Sequence, residues 1–133
     1  SKFIPAYVGL SLVNIKLNKT DEALKIADEA IAKDPNNTDA YFAKSIVSAS
    51  RKDFQNALND ITKVVLSKAT PASFKQRASY YEKMGQYQNA VNDYTQILKT
   101  DATDVDTYMK RANANEQMQN HKSALADYNK VNS

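Results

Sequence analysis

Apolar side chains recur at helical spacing along almost the whole chain, and the recurrence itself repeats. Ala23, Ala57, Ala90 and Ala124 stand at steps of 34, 33 and 34 residues, and Tyr7, Tyr41, Phe74 and Tyr108 follow the same three steps. Two residue classes of different size thus share one period. The segments Asp21-Glu22-Ala23-Leu24, Gln55-Asn56-Ala57-Leu58, Gln88-Asn89-Ala90-Val91 and Lys122-Ser123-Ala124-Leu125 superimpose, each followed by further apolar residues at helical steps. A unit of this length cannot cover its own apolar face, so successive units must stack.

Start and stop signals divide each unit into two helices. Thr70 before Pro71 predicts an N-cap with proline at the first helical position, and Gly85 predicts the stop of that helix. A second helix is predicted over about Tyr87 to Leu98. Pro35, after Asp34, ends a helix that begins near Thr20 and Asp21, where a side-chain oxygen can cap and the negative charge suits the positive helix end. Thr38, Asp53 and the Thr103-Asp104 pair mark further starts. The expectation is eight helices of about 12 to 15 residues in one domain over residues 1–133, with units over residues 4–37, 38–70, 71–104 and a truncated 105–133.

Composition narrows the chemistry. Two glycines cannot supply the turns of a many-stranded sheet or a glycine-rich phosphate loop, so the fold class is all-α. The absence of cysteine removes disulfides, thiol catalysis and thiolate metal sites. No stretch approaches the roughly 20 apolar residues of a membrane-spanning helix, and no apolar signal core opens the chain, so it reads as soluble, without membrane insertion. The compartment is open: the cytoplasm is expected, or a periplasmic or other exported location if a signal or anchor was removed. A net charge of +3 and a pI near 9.0 raise a nucleic-acid reading, but the charge is dispersed and no unit is a basic block.

The two-helix unit resembles the tetratricopeptide repeat. The family pattern of an aromatic and small residues on the first helix, then A-x3-F and a terminal proline, is met in the third unit by Phe74, Ala78, Tyr81, Gly85, Tyr87, Ala90, Tyr94 and Ile97. The first unit matches through Tyr7, Leu10, Ser11, Ala23, Ala27, Ala30 and Pro35. The second matches through Tyr41, Phe54, Ala57, Ile61 and Val64, and the fourth through Tyr108, Ala112, Ala124, Tyr128 and Val131. The resemblance implies a right-handed α-solenoid of about four antiparallel helix-turn-helix repeats. Ala69 and Ala102 replace the terminal proline, and His121 stands where Phe54 and Tyr87 stand in their units. The fourth unit ends early and no initiator methionine is present, so an excised piece or processed product is expected. Its last unit would leave an apolar face, including Leu125 and Val131, for more sequence or another copy.

One departure repeats. Leu10 and Ile26 of the first unit become Lys44 with Asp60, Arg77 with Asp93, and Arg111 with Asp127, each 16 residues apart. That spacing puts one residue on each helix of a hairpin and predicts three salt bridges, against the rival reading that Arg77 and Arg111 reach a ligand carboxylate.

The resemblance further implies a concave groove lined by the first helix of each repeat, where extended peptides or partner helices bind. Its candidate residues are Val8, Leu12, Phe42 and Ile46 in an apolar half, and Lys75, Gln76, Ser79, Lys110 and Asn113 in a polar, basic half. A peptide with an apolar anchor and an acidic or carboxylate end would complement both halves. The family's carboxylate clamp for chaperone tails does not fit, because Val8, Leu12 and Gln76 in one frame, or Phe42, Ile46 and Asp106 in the other, stand where charges or amides are needed.

No constellation supports catalysis. His121 is the lone histidine, the acidic residues sit at helix starts or opposite bases, and no metal site or cofactor is implied. The tyrosines stand at packing positions, with Tyr80 less constrained and free to reach the surface. The expectation is a non-enzymatic protein-protein interaction scaffold for a peptide or protein partner. The alternatives are a self-associating homodimeric module formed through exposed terminal helices and, behind it, an RNA-binding helical-repeat array; no nucleic-acid partner is expected.

Overall fold

The computed structural model describes the backbone of residues 4–132 and the side chains of residues 6–132. Among these residues the chain forms eight α-helices in four hairpins. The helices are α1 (Ile4–Lys16), α2 (Thr20–Lys33), α3 (Thr38–Ser50), α4 (Phe54–Ser67), α5 (Pro71–Lys83), α6 (Tyr87–Thr100), α7 (Val105–Gln117) and α8 (His121–Val131). They group into two compact units, Ser1–Ala69 with α1 to α4 and Thr70–Ser133 with α5 to α8.

Side-chain caps account for four of the helix starts, those of α3, α4, α5 and α7. The Thr70 hydroxyl accepts from the Ser73 N–H at 3.1 Å while the Ser73 hydroxyl accepts from the Thr70 N–H at 2.9 Å, a reciprocal cap ahead of Pro71. Asp53 and Asp104 cap α4 and α7 by accepting from the N–H groups of Asn56 and Thr107. The starts expected at Thr20 and Thr38 are observed, but the caps differ from those expected. Asn37, not Thr38, caps α3 by accepting from the Ala40 N–H. Lys19 occupies the cap position of α2 with no side-chain bond, so Thr20 and Asp21 lie already inside the helix, where Asp21 acts only through its charge.

The stops share a geometry that only one residue announces. Asn18, Lys52, Gly85 and Gln119 all adopt the left-handed conformation, with φ of 60°, 62°, 73° and 62°. They lie one repeat apart. Each is followed by a residue whose N–H closes the same wide turn: Lys19 to Asn14, Asp53 to Ser48, Gln86 to Tyr81 and Asn120 to Asn115, at 2.8 to 2.9 Å. Glycine takes this conformation without strain, whereas a side chain meets its own carbonyl there.

Within each hairpin, small residues let the helices approach. Ala23, Ala57, Ala90 and Ala124 are all but completely buried, as are Ser11, Ser45, Ala78 and Ala112 on the partner helices. Ser11 also donates to the Ala23 carbonyl at 2.9 Å, satisfying a hydroxyl that the seam removes from water. In the third hairpin Ala78, Ala90, Tyr94 and Ile97 form a core flanked by Phe74 and Tyr81. Neighbouring hairpins supply the rest: α1 and α2 both pack on α3, and α6 packs on α7. Tyr80 is a correction to the expected surface position. It is among the most completely buried large side chains, because it stands at the repeat position of Val47 and Ala114, which are buried too.

Substituting Lys52→Gly or Gln119→Gly should therefore stabilise the protein by about 0.5 to 1 kcal/mol, and Gly85→Ala should cost about 1 kcal/mol by strain alone, since a Cβ at Gly85 meets no atom within 4 Å. Urea midpoints read both effects; a loss of stability in Lys52→Gly and Gln119→Gly would contradict this account of the turns.

Candidate functional site

Two of the three predicted charge pairs form as forks. Arg77 donates Nε to Asp93 Oδ2 at 3.0 Å and Nη2 to Asp93 Oδ1 at 2.7 Å. Arg111 repeats the fork on Asp127, with both distances 2.7 Å, and adds a bond from Nη1 to the Thr95 hydroxyl at 3.1 Å. Both arginines are mostly buried and lie beside rings, Arg77 by Phe74 and Tyr81 and Arg111 by Tyr108. Hydrogen bonding to Asp93 and Asp127 pushes the two guanidinium groups further above their ordinary range. With both carboxylate oxygens taken up, Arg77 and Arg111 are structural cations, which removes them as ligand-carboxylate receptors.

The third predicted pair does not form. Lys44 turns to Asp28 on α2 at 3.0 Å, and the cation nearest to Asp60 is Lys63, one turn along the same helix, at 3.8 Å. Lysine offers a single ammonium on a flexible stem and cannot fork across a carboxylate. Burial, opposed by Lys44 and Lys63, pushes the Asp60 carboxyl above its ordinary range.

The apolar candidates come together. Val8 and Leu12 of α1 and Phe42 and Ile46 of α3 line one cleft of about 260 Å³, joined by Ala43 and, at its rim, the exposed Asp39. All four predicted side chains are half-buried. Val8 also packs on the Ala30–Ala40 core beside Tyr7 and Ile31, which fixes that wall of the cleft. Asp39 was not singled out from sequence, although it lies three residues before Phe42 on the same helix face.

The polar candidates, in the second unit, are differently placed. The Lys75 ammonium lies 3.2 Å from Asp104 and 3.4 Å from Asp106, so its charge is already matched. Burial acts upward on Asp104, but its bonds from Thr107 and the Lys75 ammonium outweigh it and hold the carboxyl below the ordinary range. Gln76 and Ser79 are half-buried on α5, and Lys110 and Asn113 are exposed on α7. Asn113 lines a cavity of about 270 Å³ with Glu82, Lys83, Tyr87, Ala114 and Gln117. Burial holds the Glu82 carboxyl above its ordinary range, against the Tyr94 hydroxyl and the Lys110 charge. This half is thus of mixed sign, where the sequence suggested a basic surface. Among the described residues no group of three or more histidine, cysteine, aspartate or glutamate residues is placed to hold a metal ion, and no helix is long and apolar enough to cross a membrane.

Paired helices of 11 to 14 residues, closed within each hairpin by one kind of turn and repeated at one period, define a helical-repeat protein of the α-solenoid class. The chain belongs to the tetratricopeptide repeat family, whose pattern matches residues 10–73 and 75–131. Among solved structures it is similar to one described as the crystal structure of MamA, with a TM-score of 0.86 at 13% identity over 96% of this chain and 75% of that one. A MamA structure designated MSR-1 gives 0.83 at 17% identity over 97% of this chain and 75% of that one. A MamA RS-1 double mutant gives 0.86 at 16% identity over 98% and 74%. No curated protein matches the sequence. These likenesses define the fold alone; it is the tetratricopeptide repeat family that suggests a protein-protein interaction scaffold.

The fork geometry yields a contrast. Asp93→Asn and Asp127→Asn should each cost about 2 to 4 kcal/mol, because each strands a largely buried guanidinium, whereas Asp60→Asn should cost little or be stabilising. The pH dependence separates them further. Since the folded Asp60 carboxyl titrates above the unfolded one, ionising it disfavours the fold, and that penalty vanishes as pH falls below the ordinary carboxylate range. The advantage of Asp60→Asn over the parent should shrink in step, as read by urea denaturation between neutral and acidic pH. Equal losses at all three positions would refute the distinction.

Proposed function

We propose that the protein is a non-enzymatic adaptor whose first unit captures a partner polypeptide through the cleft of Val8, Leu12, Phe42 and Ile46. The observation that carries this reading is the cleft itself: four apolar side chains from two first helices remain half-exposed around one concavity while the seams beneath them are closed. A concave apolar site with a single charge at its rim suits an apolar anchor residue flanked by a basic one. Lys75, Gln76, Ser79, Lys110 and Asn113 then offer a hydrogen-bonding surface on the second unit. Its mixed charge, with Lys75 matched by Asp104 and Asp106, favours polar peptide contacts over capture of a carboxylate alone. The burial of both structural arginines, each forked onto a carboxylate, supports a scaffold reading.

Self-association is the second reading, and a separate observation favours it. Leu10 and Val13 on α1 and Leu17 in the turn just after it are exposed, each more than half accessible, and Leu125 on α8 is 60% exposed. Such exposed apolar residues support pairing with another copy.

Selection from a displayed peptide library should enrich sequences with an apolar anchor, and Ile46→Asp should weaken their binding at least tenfold by fluorescence polarisation while the helical circular dichroism signal is unchanged. Enriched peptides that bind Ile46→Asp as well as the parent would remove the cleft from the site. For the second reading, light scattering over a concentration series should show an assembly larger than one chain that Leu10→Lys with Val13→Glu dissolves; a monomer at every concentration would exclude it.

A further inference from the structure

The cavity over Asp60 has a counterpart elsewhere in the chain, and the difference between them is informative. In the last hairpin a cavity of about 400 Å³ is lined by Arg111 and Asp127, with the guanidinium forked onto the carboxylate. Two repeats earlier a cavity of about 510 Å³ occupies the same repeat position, with Lys44 for Arg111, Asp60 for Asp127, Ser48 for Asn115 and Asn59 for Ala126. Asp60 is only 6% exposed, comparable with Asp93 at 3% and Asp127 at 4%. The donors that satisfy those two carboxylates are missing here. Lys44 is drawn to Asp28, and no hydrogen bond among the described residues reaches the Asp60 oxygens. Lys63, the nearest cation, stays 3.8 Å away with its ammonium over the Tyr41 ring at 4.8 Å.

The local charge completes the picture. Asp28, Asp53 and Asp60 line the cavity with Lys44, Arg51 and Lys63, and Arg51 is itself engaged by Asp21 at 3.3 Å. The lining is thus balanced in number, three carboxylates to three cations, but Lys44 and Arg51 are engaged elsewhere and the least compensated carboxylate is the most buried. A second ammonium would meet the same limit as Lys44, since a point charge cannot satisfy two oxygens in one plane. A planar guanidinium can, and two places in this chain display the result.

We propose that the cavity over Asp60 receives a guanidinium group, the arginine side chain of a partner polypeptide, which forks onto Asp60 as Arg77 and Arg111 fork onto Asp93 and Asp127. The site shares no lining residue with the apolar cleft, so it does not depend on that cleft being a binding site.

The test titrates the whole chain with Nα-acetyl-arginine amide and, separately, Nα-acetyl-lysine amide, following the side-chain carboxyl carbon of Asp60 by NMR. The arginine probe should give a saturable shift with a Kd in roughly the millimolar range, at least about fivefold tighter than the lysine probe. Lys44→Arg supplies a guanidinium from within, so it should shift the Asp60 signal without ligand and weaken probe binding at least about tenfold. Asp60→Asn should abolish binding, and it carries the comparison if Lys44→Arg fails to fold. Ile46→Asp should leave the arginine response intact, which separates this site from the cleft. An Asp60 signal unmoved by tens of millimolar arginine probe, equal response to both probes, or undiminished binding to folded Lys44→Arg or Asp60→Asn would each overturn the proposal.

Discussion

Everything in this chain depends on two helices meeting at residues with almost no side chain. The fully buried alanines of α2, α4, α6 and α8 face Ser11, Ser45, Ala78 and Ala112 on the preceding helices, and that seam brings backbones close at little cost in side-chain entropy. A seam of small residues buries little apolar area, so no hairpin is stable alone. The missing area comes from larger side chains one or two turns further on, such as Ile61, Tyr94 and Ile97, and from the next hairpin. Stacking is thus a consequence of the seam. The cleft follows too, because Val8, Leu12, Phe42 and Ile46 lie on the first helices beyond what the seam and the neighbouring hairpin cover.

The same logic sorts the charges. In the second unit the buried carboxylates Asp93 and Asp127 are each held by a planar cation that satisfies both oxygens, and the outer lysine Lys75 is matched by Asp104 and Asp106. In the first unit the corresponding positions are apolar, at Leu10 and Ile26, or mismatched, at Lys44 and Asp60. The apolar cleft, the exposed apolar residues of α1 and the incompletely paired Asp60 all belong to the unit Ser1–Ala69. The second unit pairs its buried carboxylates Asp93 and Asp127 internally, whereas the first leaves Asp60 without such a fork.

How much of this the sequence disclosed depends on whether a residue type alone fixes the geometry. Alanine and aromatic periodicity gave the helices and their pairing, because burial at a fixed repeat position leaves few alternatives. The left-handed turns stayed hidden at Asn18, Lys52 and Gln119, since only Gly85 names its own conformation. The Arg–Asp pairs were legible because a rigid fork has few ways to satisfy itself, while Lys44 escaped because a flexible ammonium goes to whichever carboxylate is nearer, and Asp28 comes from another hairpin. Lys75 shows the same limit: its matching aspartates, Asp104 and Asp106, stand at the start of α7, and Asp104 was legible only as a helix start. The four apolar cleft residues could be placed by face, but the role of Asp39 at the rim needed the cavity.

A surface of this kind gains affinity mainly by being fixed in advance. The helices that carry the cleft end in hydrogen-bonded turns at Asn18 and Lys52, and α3 begins at the Asn37 cap, so both walls are built on closed segments. Val8 is further held by the Ala30–Ala40 core. A partner residue entering the cleft therefore spends little of its binding energy on ordering the receptor. The Asp60 cavity is fixed by different means, since its carboxylate stays in place through burial on α4 while its counterpart Lys44 is diverted to α2. A guanidinium there would gain two charge-assisted bonds and relieve a buried charge, whereas an apolar side chain would leave Asp60 as it is. The readings proposed for the two concavities of the first unit thus call for different side chains, an apolar anchor at the cleft and a guanidinium over Asp60.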